Sequence, residues 1–415
     1  MHGAVPQPGC GTAFLRTESE QVGMARAEVI VAKQLRETLK RGHPWVYRNH
    51  IDADTPEYAD GTVVAVRCAG WRGIGLWDSE GPIAVRLYTS GQRLDAELIT
   101  ARVASAWRMR AWLRHQGVTA YRWLFGEGDG LPGITVDLYG DVAVLQHYGL
   151  GPAALVPMVV AALRSCYPGL RAVLGSKRRD DDAGQRTLLW GELPDLPLIV
   201  QEHAGLRFVV DPLVGQKTGL FLDHRENRHT LMQHVADMSV LNCFAYTGAF
   251  SLYALRGGAQ RVVSVDIGQG LAEAADHNIA LNELPADRHQ FITQDCFELL
   301  QKMTNDGRKF DCIILDPPSF ARTRQQRDSA LQAYTRLNTM ALKCLHPDGV
   351  LVTASCTSQV SPEDFRTMVA QSASDAERRV QIIHEAGHAI DHPVPAHFPE
   401  GRYLKFVMAR VGTQW

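Results

Sequence analysis

Four side chains able to do acid–base or nucleophilic chemistry each follow a predicted strand: Asp266, Asp295, Asp316 and Cys356. Apolar runs precede them and amphipathic helices separate them, which is typical of parallel strands. The carboxyl ends of the strands of an open parallel sheet share one edge, so we expect the fold to gather all four groups there. One acid after a strand is often only a helix cap. Four such groups at successive strand ends predict a functional site.

The segment Met238–Asp266 reads MSVLNCFAYTGAFSLYALRGGAQRVVSVD and predicts a strand, a tight turn, a helix and a second strand. Backbone N–H groups of such a turn face a ligand, and Asp266 can accept hydrogen bonds from ribose hydroxyls. A dinucleotide site needs G-x-G-x-x-G, whereas this turn offers only Gly248. We therefore predict a site for S-adenosylmethionine, which has no phosphate; the alternative is an ordinary strand–helix–strand unit. The predicted donor-binding residues of the turn are Phe244, Tyr246, Thr247 and Gly248.

A thiol beside a methyl donor points to a pyrimidine ring. The C5 carbon of a pyrimidine is a poor nucleophile until a thiolate adds to C6, whereas an exocyclic nitrogen needs no thiol. We predict that Cys356 adds to C6 and that Asp316, near N3, stabilises the charge that develops in the ring. Cys356 follows the strand end between Ser355 and Thr357, where a thiolate can form. The alternative is an inert core cysteine.

The segment Asp316–Phe320 reads DPPSF. Pro317 and Pro318 fix φ and hold the chain extended and rigid at the sheet edge, and Phe320 offers a ring on which a base can stack. We predict that these three residues bind the substrate. The alternative is a rigid turn with a core phenylalanine.

The elements that position these groups fall into successive segments. Residues 204–415 alternate strands and helices and predict a doubly wound α/β domain. Residues 28–94 carry short strands between Gly-rich turns, which predicts a small β-barrel, and residues 95–203 predict a small α+β domain. Residues 1–27 are polar and Gly/Pro-rich, which predicts a disordered extension. The barrel core is expected to contain Trp45, Tyr47, Trp71 and Trp77.

Composition excludes several classes of protein. The chain has 415 residues, a net charge of −2 and no apolar run of the roughly 20 residues that span a bilayer. The N-terminus has no secretory signal pattern, so we expect a cytoplasmic protein. None of the eight cysteines forms a C-x-x-C pair, which favours free thiols and no metal site. Arginines are concentrated between Arg26 and Arg114, which predicts either a basic face or a solvated surface.

The motifs QKTGLFLDHRENR, VLNCFAYTGAFS, LDPPSFAR and ASCT, with GEGDGLPGITVDLYGD and DHPVPAHFPEGRYLK, resemble those of the bacterial 23S rRNA 5-methylcytosine methyltransferases that carry a PUA domain. The resemblance covers Val29 to Val411. It implies an N-terminal PUA domain, a linking domain and a C-terminal class I, Rossmann-like methyltransferase domain. It also implies S-adenosylmethionine as donor, 23S rRNA as substrate and a homodimer.

The resemblance further implies roles for single residues. It implies that Cys356 is the nucleophile and that Asp266 binds the ribose of the donor. Asp295 would lie beside the adenine of the donor. Asp316 would be the acid at the target base and would also border the donor. Lys217 and Thr218 match a polar segment that lines the donor pocket.

Two departures and two alternatives stay open. Residues 1–27 lie outside the resemblance, and Ser319 stands where some members have lysine, which leaves the target nucleotide open. A related branch of rRNA methyltransferases shares QKTGLFLDHR but methylates guanine. The second hypothesis is therefore a guanine methyltransferase in which Cys356 is structural. The third hypothesis is a non-catalytic RNA-binding factor in ribosome assembly, against which the intact turn at Gly248 and the acid at Asp266 argue.

Overall fold

The computed structural model describes residues 27–177 and 186–412, so the predicted disordered extension lies outside the described residues except for Ala27, which begins the first strand. The first domain is a five-stranded sheet of order β1-β3-β4-β5-β2, in which β1 and β3 are parallel and the other pairs antiparallel. Its elements are β1 (Ala27–Ile30), α1 (Arg36–Lys40), β2 (Trp45–Tyr47), β3 (Val63–Cys68), β4 (Trp71–Trp77) and β5 (Ile83–Thr89).

The aromatic residues of this domain do not all fill its core. Trp77 is buried in the apolar cluster of this domain, and Trp71 is partly buried and packs against that cluster, as expected. Trp45 and Tyr47 are only half-buried, so the expectation is wrong for these two. Strand β2 is an edge strand, and Trp45 turns towards the other domains: its Nε1 donates to Glu127 at 2.8 Å, and its ring lies 4.6 Å from that of Phe398.

The second domain is a five-stranded sheet of order β10-β9-β8-β7-β6 with helices packed on it. The helical segment that begins the second domain is interrupted at Arg110, whose buried guanidinium binds Asp129 at 2.7 Å. The elements are α2 (Ala96–Met109), α3 (Ala111–His115), β6 (Ala120–Phe125), β7 (Ile134–Tyr139), β8 (Val142–His147), α4 (Val156–Cys166), β9 (Ala172–Lys177) and β10 (Thr187–Gly191).

A hairpin of β11 (Leu198–Gln201) and β12 (Arg207–Val210) joins the second domain to the third. The boundary predicted at 203/204 divides this hairpin. Its residues Val200 and Phe208 belong to an apolar cluster that includes residues of both the second and the third domain. The side-chain oxygen of Asn278, in the third domain, accepts a hydrogen bond from the backbone N–H of Val209 at 2.9 Å. Gln201 of the hairpin also exchanges hydrogen bonds with Thr119 of the second domain, so the hairpin packs against both domains.

The third domain is a seven-stranded sheet of order β15-β14-β13-β16-β17-β19-β18, which confirms the predicted doubly wound α/β fold. All pairs from β15 to β17 are parallel, and β19 is antiparallel to both neighbours. The elements are α5 (Arg225–Met232), β13 (Ser239–Cys243), α6 (Ala249–Arg256), β14 (Arg261–Asp266), α7 (Leu271–Leu281), β15 (His289–Thr293), α8 (Cys296–Asn305), β16 (Phe310–Leu315), α9 (Arg327–Lys343), β17 (Leu345–Ser355), α10 (Pro362–Asp375), β18 (Arg379–Ala386) and β19 (Lys405–Gly412).

Both faces of the parallel strands are covered. Val240 packs into one apolar cluster and Leu241, next in sequence, into another on the opposite face. This explains the unbroken apolar runs from which the strands are predicted. Within the described ranges, no helix is long and apolar enough to cross a membrane.

Candidate active site

The predicted site residues follow four strands of one parallel sheet. Asp266 ends β14, Asp295 follows β15, Asp316 follows β16 and Cys356 follows β17. Strand β13 lies between β14 and β16, so the turn after it opens at the centre of this row. The sheet order therefore brings the carboxyl ends of these strands to one edge, as the sequence predicts.

The turn after β13 has a strained backbone. Phe244 and Tyr246 have φ of 60° and 49°, a region that non-glycine residues rarely adopt. Gly248 has φ of 82°, and a Cβ there would lie 3.3 Å from the Cβ of Ala275 on α7. Conformations of this kind cluster at ligand sites, where the surrounding structure maintains them.

Asp266 holds this turn in place. Its Oδ2 accepts from the backbone N–H of Tyr246 at 2.9 Å, and its Oδ1 accepts from Gly268 at 3.0 Å. Each carboxylate oxygen keeps a further lone pair for a ribose hydroxyl. No basic residue lies in Cys243–Gly248 or Asp266–Gly270, so the pair of segments suits a nucleoside without a pyrophosphate.

Asp295 and Thr247 make bonds within the protein. Asp295 is the N-cap of α8, where its side chain accepts from the backbone N–H of Glu298 at 3.0 Å. The carbonyl of Thr247 accepts from Asn278 at 3.3 Å. Both residues therefore have a local structural role, and the predicted contact with the donor would be a second role.

Lys217 and Thr218 point in different directions. The hydroxyl of Thr218 is buried and lies 2.7 Å from both Asp137 Oδ2 and Tyr139 Oη of the second domain. Lys217 has a φ of 54°, and its Nζ lies 3.1 Å from Asp223 Oδ2. Lys217 thus faces the sheet edge, while the side chain of Thr218 joins two domains.

Cys356 lies on the wall of a cavity of about 620 Å³, to which all three domains contribute. Burial raises the pKa of its thiol to about 11; Lys217 opposes this effect, and the carboxylates of Asp316 and Asp223 add to it. Lys405 also lowers the thiol pKa, and burial lowers the pKa of Lys405 itself to about 8. The sulfur is therefore a thiol in the free protein at neutral pH, surrounded by two cations and two acids.

Asp316 is approached by His224. The Nδ2 of Asn227 donates to the carbonyl of Gly387 and to Nδ1 of His224, both at 3.1 Å. Because Nδ1 accepts this bond, neutral His224 carries its proton on Nε2, which lies 3.3 Å from Asp316 Oδ1. His224 is buried, whereas Asp316 is partly exposed and open to a ligand.

In the segment that begins with Asp316, the residues that line the cavity are not those predicted from the sequence to bind the substrate. Ser319, Ala321 and Arg322 line the cavity, whereas Pro317, Pro318 and Phe320 are not among its lining residues. The ring of Phe320 lies 4.7 Å from that of Tyr334 and packs at the edge of an apolar cluster. This placement favours the alternative, a rigid turn with a core phenylalanine.

Four residues near the thiol were not singled out from the sequence: Asp223, His224, Tyr403 and Lys405. The first two lie in QKTGLFLDHRENR and the other two in DHPVPAHFPEGRYLK, motifs that carry the family resemblance but from which no role for these four residues is predicted. Tyr403 donates to Asp223 Oδ2 at 2.7 Å, and Lys405 donates to the carbonyls of Thr357 and Tyr403. Nothing in the local sequence indicates that β19 passes beside the thiol, because that neighbour relation arises from sheet order.

Fold and site together define a nucleoside-binding α/β transferase with two accessory domains. The sequence matches the family described as S-adenosylmethionine-dependent methyltransferase over residues 154–385 and the PUA-like domain family over residues 29–90. The protein is thus an S-adenosylmethionine-dependent methyltransferase with a PUA-like domain, and the predicted methyl donor is confirmed.

Relatives specify the family further. The chain is 38% identical over 384 residues to ribosomal RNA large subunit methyltransferase I of Shewanella denitrificans, which covers 90% of this chain and 96% of that protein. Its identity to the protein of the same name from Tolumonas auensis is 36% over 391 residues, or 92% and 98% of the two chains. The chain belongs to the family of ribosomal RNA large subunit methyltransferase I.

Solved structures confirm the fold. A putative S-adenosylmethionine-dependent methyltransferase from Streptococcus mutans superposes with a TM-score of 0.82 at 23% identity, covering 92% of this chain and 100% of that one. A putative methyltransferase complexed with SAH superposes over the same shares with a TM-score of 0.83. The three-domain arrangement therefore also occurs in experimentally determined structures.

Proposed function

We propose that this protein methylates C5 of a cytosine in 23S rRNA, with Cys356 as the nucleophile. The names of the relatives support the ribosomal RNA substrate. The thiol on the wall of the cavity, within the electrostatic influence of Asp316, Lys217 and Lys405, supports C5 chemistry. That thiol is the single observation that carries the proposal, because methylation of a guanine nitrogen has no use for it.

The chain supplies the nucleophile and the acid. The Cys356 thiol loses its proton to solvent, and the resulting thiolate forms a bond to C6. The C5–C6 double-bond electrons move into the ring, where they make C5 nucleophilic. Asp316 stabilises this charge by sharing with N3 a proton taken up from solvent. S-adenosylmethionine, when bound, supplies an electrophilic methyl group. Loss of the C5 proton to a base then expels the cysteine thiolate and restores the aromatic ring.

The thiol pKa is raised in the free protein, so the substrate must lower it for the cycle to begin. N3 of cytosine carries no proton, so Asp316 binds it through a proton shared between the two groups, which neutralises part of the carboxylate charge that raises the thiol pKa. Lys217 and Lys405 then act on the sulfur with less opposition. We infer that the thiolate forms mainly after the base has entered.

Replacement of Cys356 by alanine tests the mechanism. We expect C356A to lose turnover on rRNA by more than about 1000-fold and to bind S-adenosylmethionine, measured by calorimetry, with unchanged affinity. Cys166→Ala, which removes a half-buried thiol on α4 that does not line the cavity, is the matched control and should keep full activity. Full activity of C356A would rule out the thiolate and favour guanine as the target.

RNA that contains 5-fluorocytidine gives a second readout. Fluorine at C5 cannot leave as a proton does, so the adduct between Cys356 and C6 persists after methyl transfer. We expect wild-type protein to form a covalent complex that migrates slowly in denaturing gels and C356A to form none. Failure of the wild-type protein to bind the methyl donor at all would instead support the non-catalytic assembly factor.

We also propose, from the family resemblance, that the protein works in the cytoplasm as a homodimer. Light scattering coupled to size-exclusion chromatography of the full chain tests the second point, and a mass of 45.9 kDa in solution would exclude a stable dimer. Cell fractionation tests the first.

A further inference from the structure

The cavity beside Cys356 has walls from all three domains. The first domain contributes the loop Glu80–Ile83, the second Tyr148 and the third Arg322 and Tyr403. Its volume of about 620 Å³ lies within the roughly 300–1,000 Å³ of cavities that enclose small organic ligands. A double helix does not fit such a space, whereas one unpaired nucleotide does.

The wall from the first domain is held rigidly. Asp78, which precedes the loop, is fully buried; its Oδ2 accepts from Arg86 at 2.6 Å, and its Oδ1 accepts from the backbone N–H of Leu150 in the second domain at 3.3 Å. A Cβ at Gly149 would lie 2.0 Å from Asp78 Oδ2, so the two backbones approach as closely as glycine permits. The cavity is therefore preformed and does not depend on domain closure.

The cavity has a cation for a phosphate and rings for a base. Within the described part of the chain, the guanidinium of exposed Arg322 makes no hydrogen bond or ion pair, although its backbone N–H donates to Gln326 at 2.8 Å. Arginine in such a position binds phosphate oxygens well. The partly exposed rings of Tyr148 and Tyr403 also border the cavity, and aromatic rings are common stacking partners for unpaired bases.

We propose that this cavity binds one unpaired pyrimidine nucleotide of the RNA, with Arg322 on a phosphate next to the target base and the loop Glu80–Ile83 as the opposite wall. The inference rests on the proposed function and extends it. The PUA-like domain forms part of the active-site pocket in addition to any contact with RNA elsewhere. The substrate must then be single-stranded at the target, because the loop leaves no room for a pairing partner.

Arg322→Gln tests the phosphate contact. We expect KM for a single-stranded rRNA fragment to rise roughly 10- to 100-fold, the loss typical of a charge-assisted hydrogen bond, with unchanged affinity for S-adenosylmethionine. The slope of log affinity against log salt concentration should also fall by about 0.7, the value for one phosphate of a single strand. The control is Arg288→Gln, an exposed arginine at the start of β15 and thus at the opposite edge of the sheet.

Glu80→Trp tests the loop as a wall. The indole would occupy the cavity, so we expect slower trapping of 5-fluorocytidine RNA and a raised KM, with unchanged thermal stability and donor binding. Glu57→Trp, also exposed on the first domain but not on the cavity wall, is the matched control. Wild-type KM for both R322Q and E80W would overturn the inference while leaving the proposed function intact. Absence of 5-methylcytidine from wild-type reactions would instead refute the proposed function.

Discussion

Cys356, Asp316 and His224 show how single residues acquire their chemistry from neighbours distant in sequence. The sulfur is surrounded by Lys217, Asp223 and Lys405, which come from two other segments of the chain. His224 approaches Asp316 across 92 positions, and Asn227 fixes the ring nitrogen that carries its proton. The reactivity of Cys356 and Asp316 therefore depends on contacts that no local motif describes.

We predict that His224 positions Asp316. His224→Leu removes the Nε2 proton, and we expect kcat to fall roughly 10- to 100-fold, a part of the 10²–10⁴ typical of a general acid or base, with little change in KM. His224→Gln keeps a donor near the same place and should restore most of the rate. Steady-state kinetics at saturating S-adenosylmethionine check this, and an unchanged kcat in H224L would refute it.

The pH dependence of the rate reports on the thiol. Burial raises the pKa of Cys356 to about 11, so the thiolate fraction rises about tenfold per pH unit below that value. We expect kcat/KM for RNA to rise with pH across the neutral range. Asp316→Asn removes a negative charge that raises the thiol pKa. This variant should react more slowly, but its kcat/KM should begin to rise at a lower pH than that of the wild-type protein. A flat profile for the wild-type protein would contradict this account.

At the scale of elements, the turn after β13 is the part whose geometry matters most for the donor. Three of its five residues have positive φ, and Asp266 from the neighbouring strand holds one of their N–H groups. The strand and helix on either side are ordinary apolar elements. The strain is confined to the turn that they hold between them.

Gly248→Ala should therefore weaken donor binding more than it weakens the fold. The new Cβ would have to adopt φ of 82° and would press on Ala275 at 3.3 Å, which moves the turn. We expect the Kd for S-adenosylmethionine, measured by calorimetry, to rise at least about tenfold, equivalent to about 1.4 kcal/mol. Gly307→Ala has a similar φ of 67° with no atom within 4 Å of the new Cβ and should leave the Kd unchanged. Equal effects of both variants on the Kd would contradict this account.

At the scale of the molecule, Asp391 joins the second and third domains. Its carboxylate is fully buried; it accepts from the backbone N–H of Arg122 at 2.7 Å and pairs with Arg225 at 3.0 Å. Burial alone would raise the pKa of Asp391, but Arg225 and His392 outweigh it and hold that pKa far below its ordinary value. The junction between the domains thus contains a buried ion pair, as does the pocket wall at Asp78.

Asp391→Asn should destabilise the whole chain. Loss of this charge leaves Arg225 buried with less compensation, and we expect the free energy of unfolding to fall by roughly 3–5 kcal/mol. Asp348→Asn is the control, because its pair with Arg410 is exposed and should contribute under about 1 kcal/mol. Urea unfolding at pH 7 measures both variants, and equal midpoints would refute the prediction.

The carboxylate of Asp391 also makes the stability of the folded protein depend on pH. Because its pKa in the folded state is depressed, its contribution is present above the unfolded pKa of about 3.9 and is lost as pH falls below that value. We therefore expect the difference in stability between wild type and D391N to narrow as pH is lowered from 6 towards 3. A constant difference over this range would contradict the assignment.

The sequence by itself determined the elements and the site's chemical inventory. Apolar runs bounded by turns placed β13 to β17 within a few residues, and Asp266, Asp316 and Cys356 were identifiable because strand ends in a doubly wound sheet share one edge. Local periodicity carries this information, since each strand is buried on both faces. Phe320 was ambiguous, because an aromatic residue after a rigid turn serves a core or a ligand equally well.

The tertiary structure decided which groups meet. The placement of β19 beside β17 brings Lys405 and Tyr403 to the thiol, and the docking of the first domain brings Glu80–Ile83 to the cavity. It also showed that Trp45 contacts other domains and that Arg110 interrupts a helix. These contacts join residues up to several hundred positions apart, and their energies depend on burial and pairing in three dimensions, which no spacing along the chain encodes.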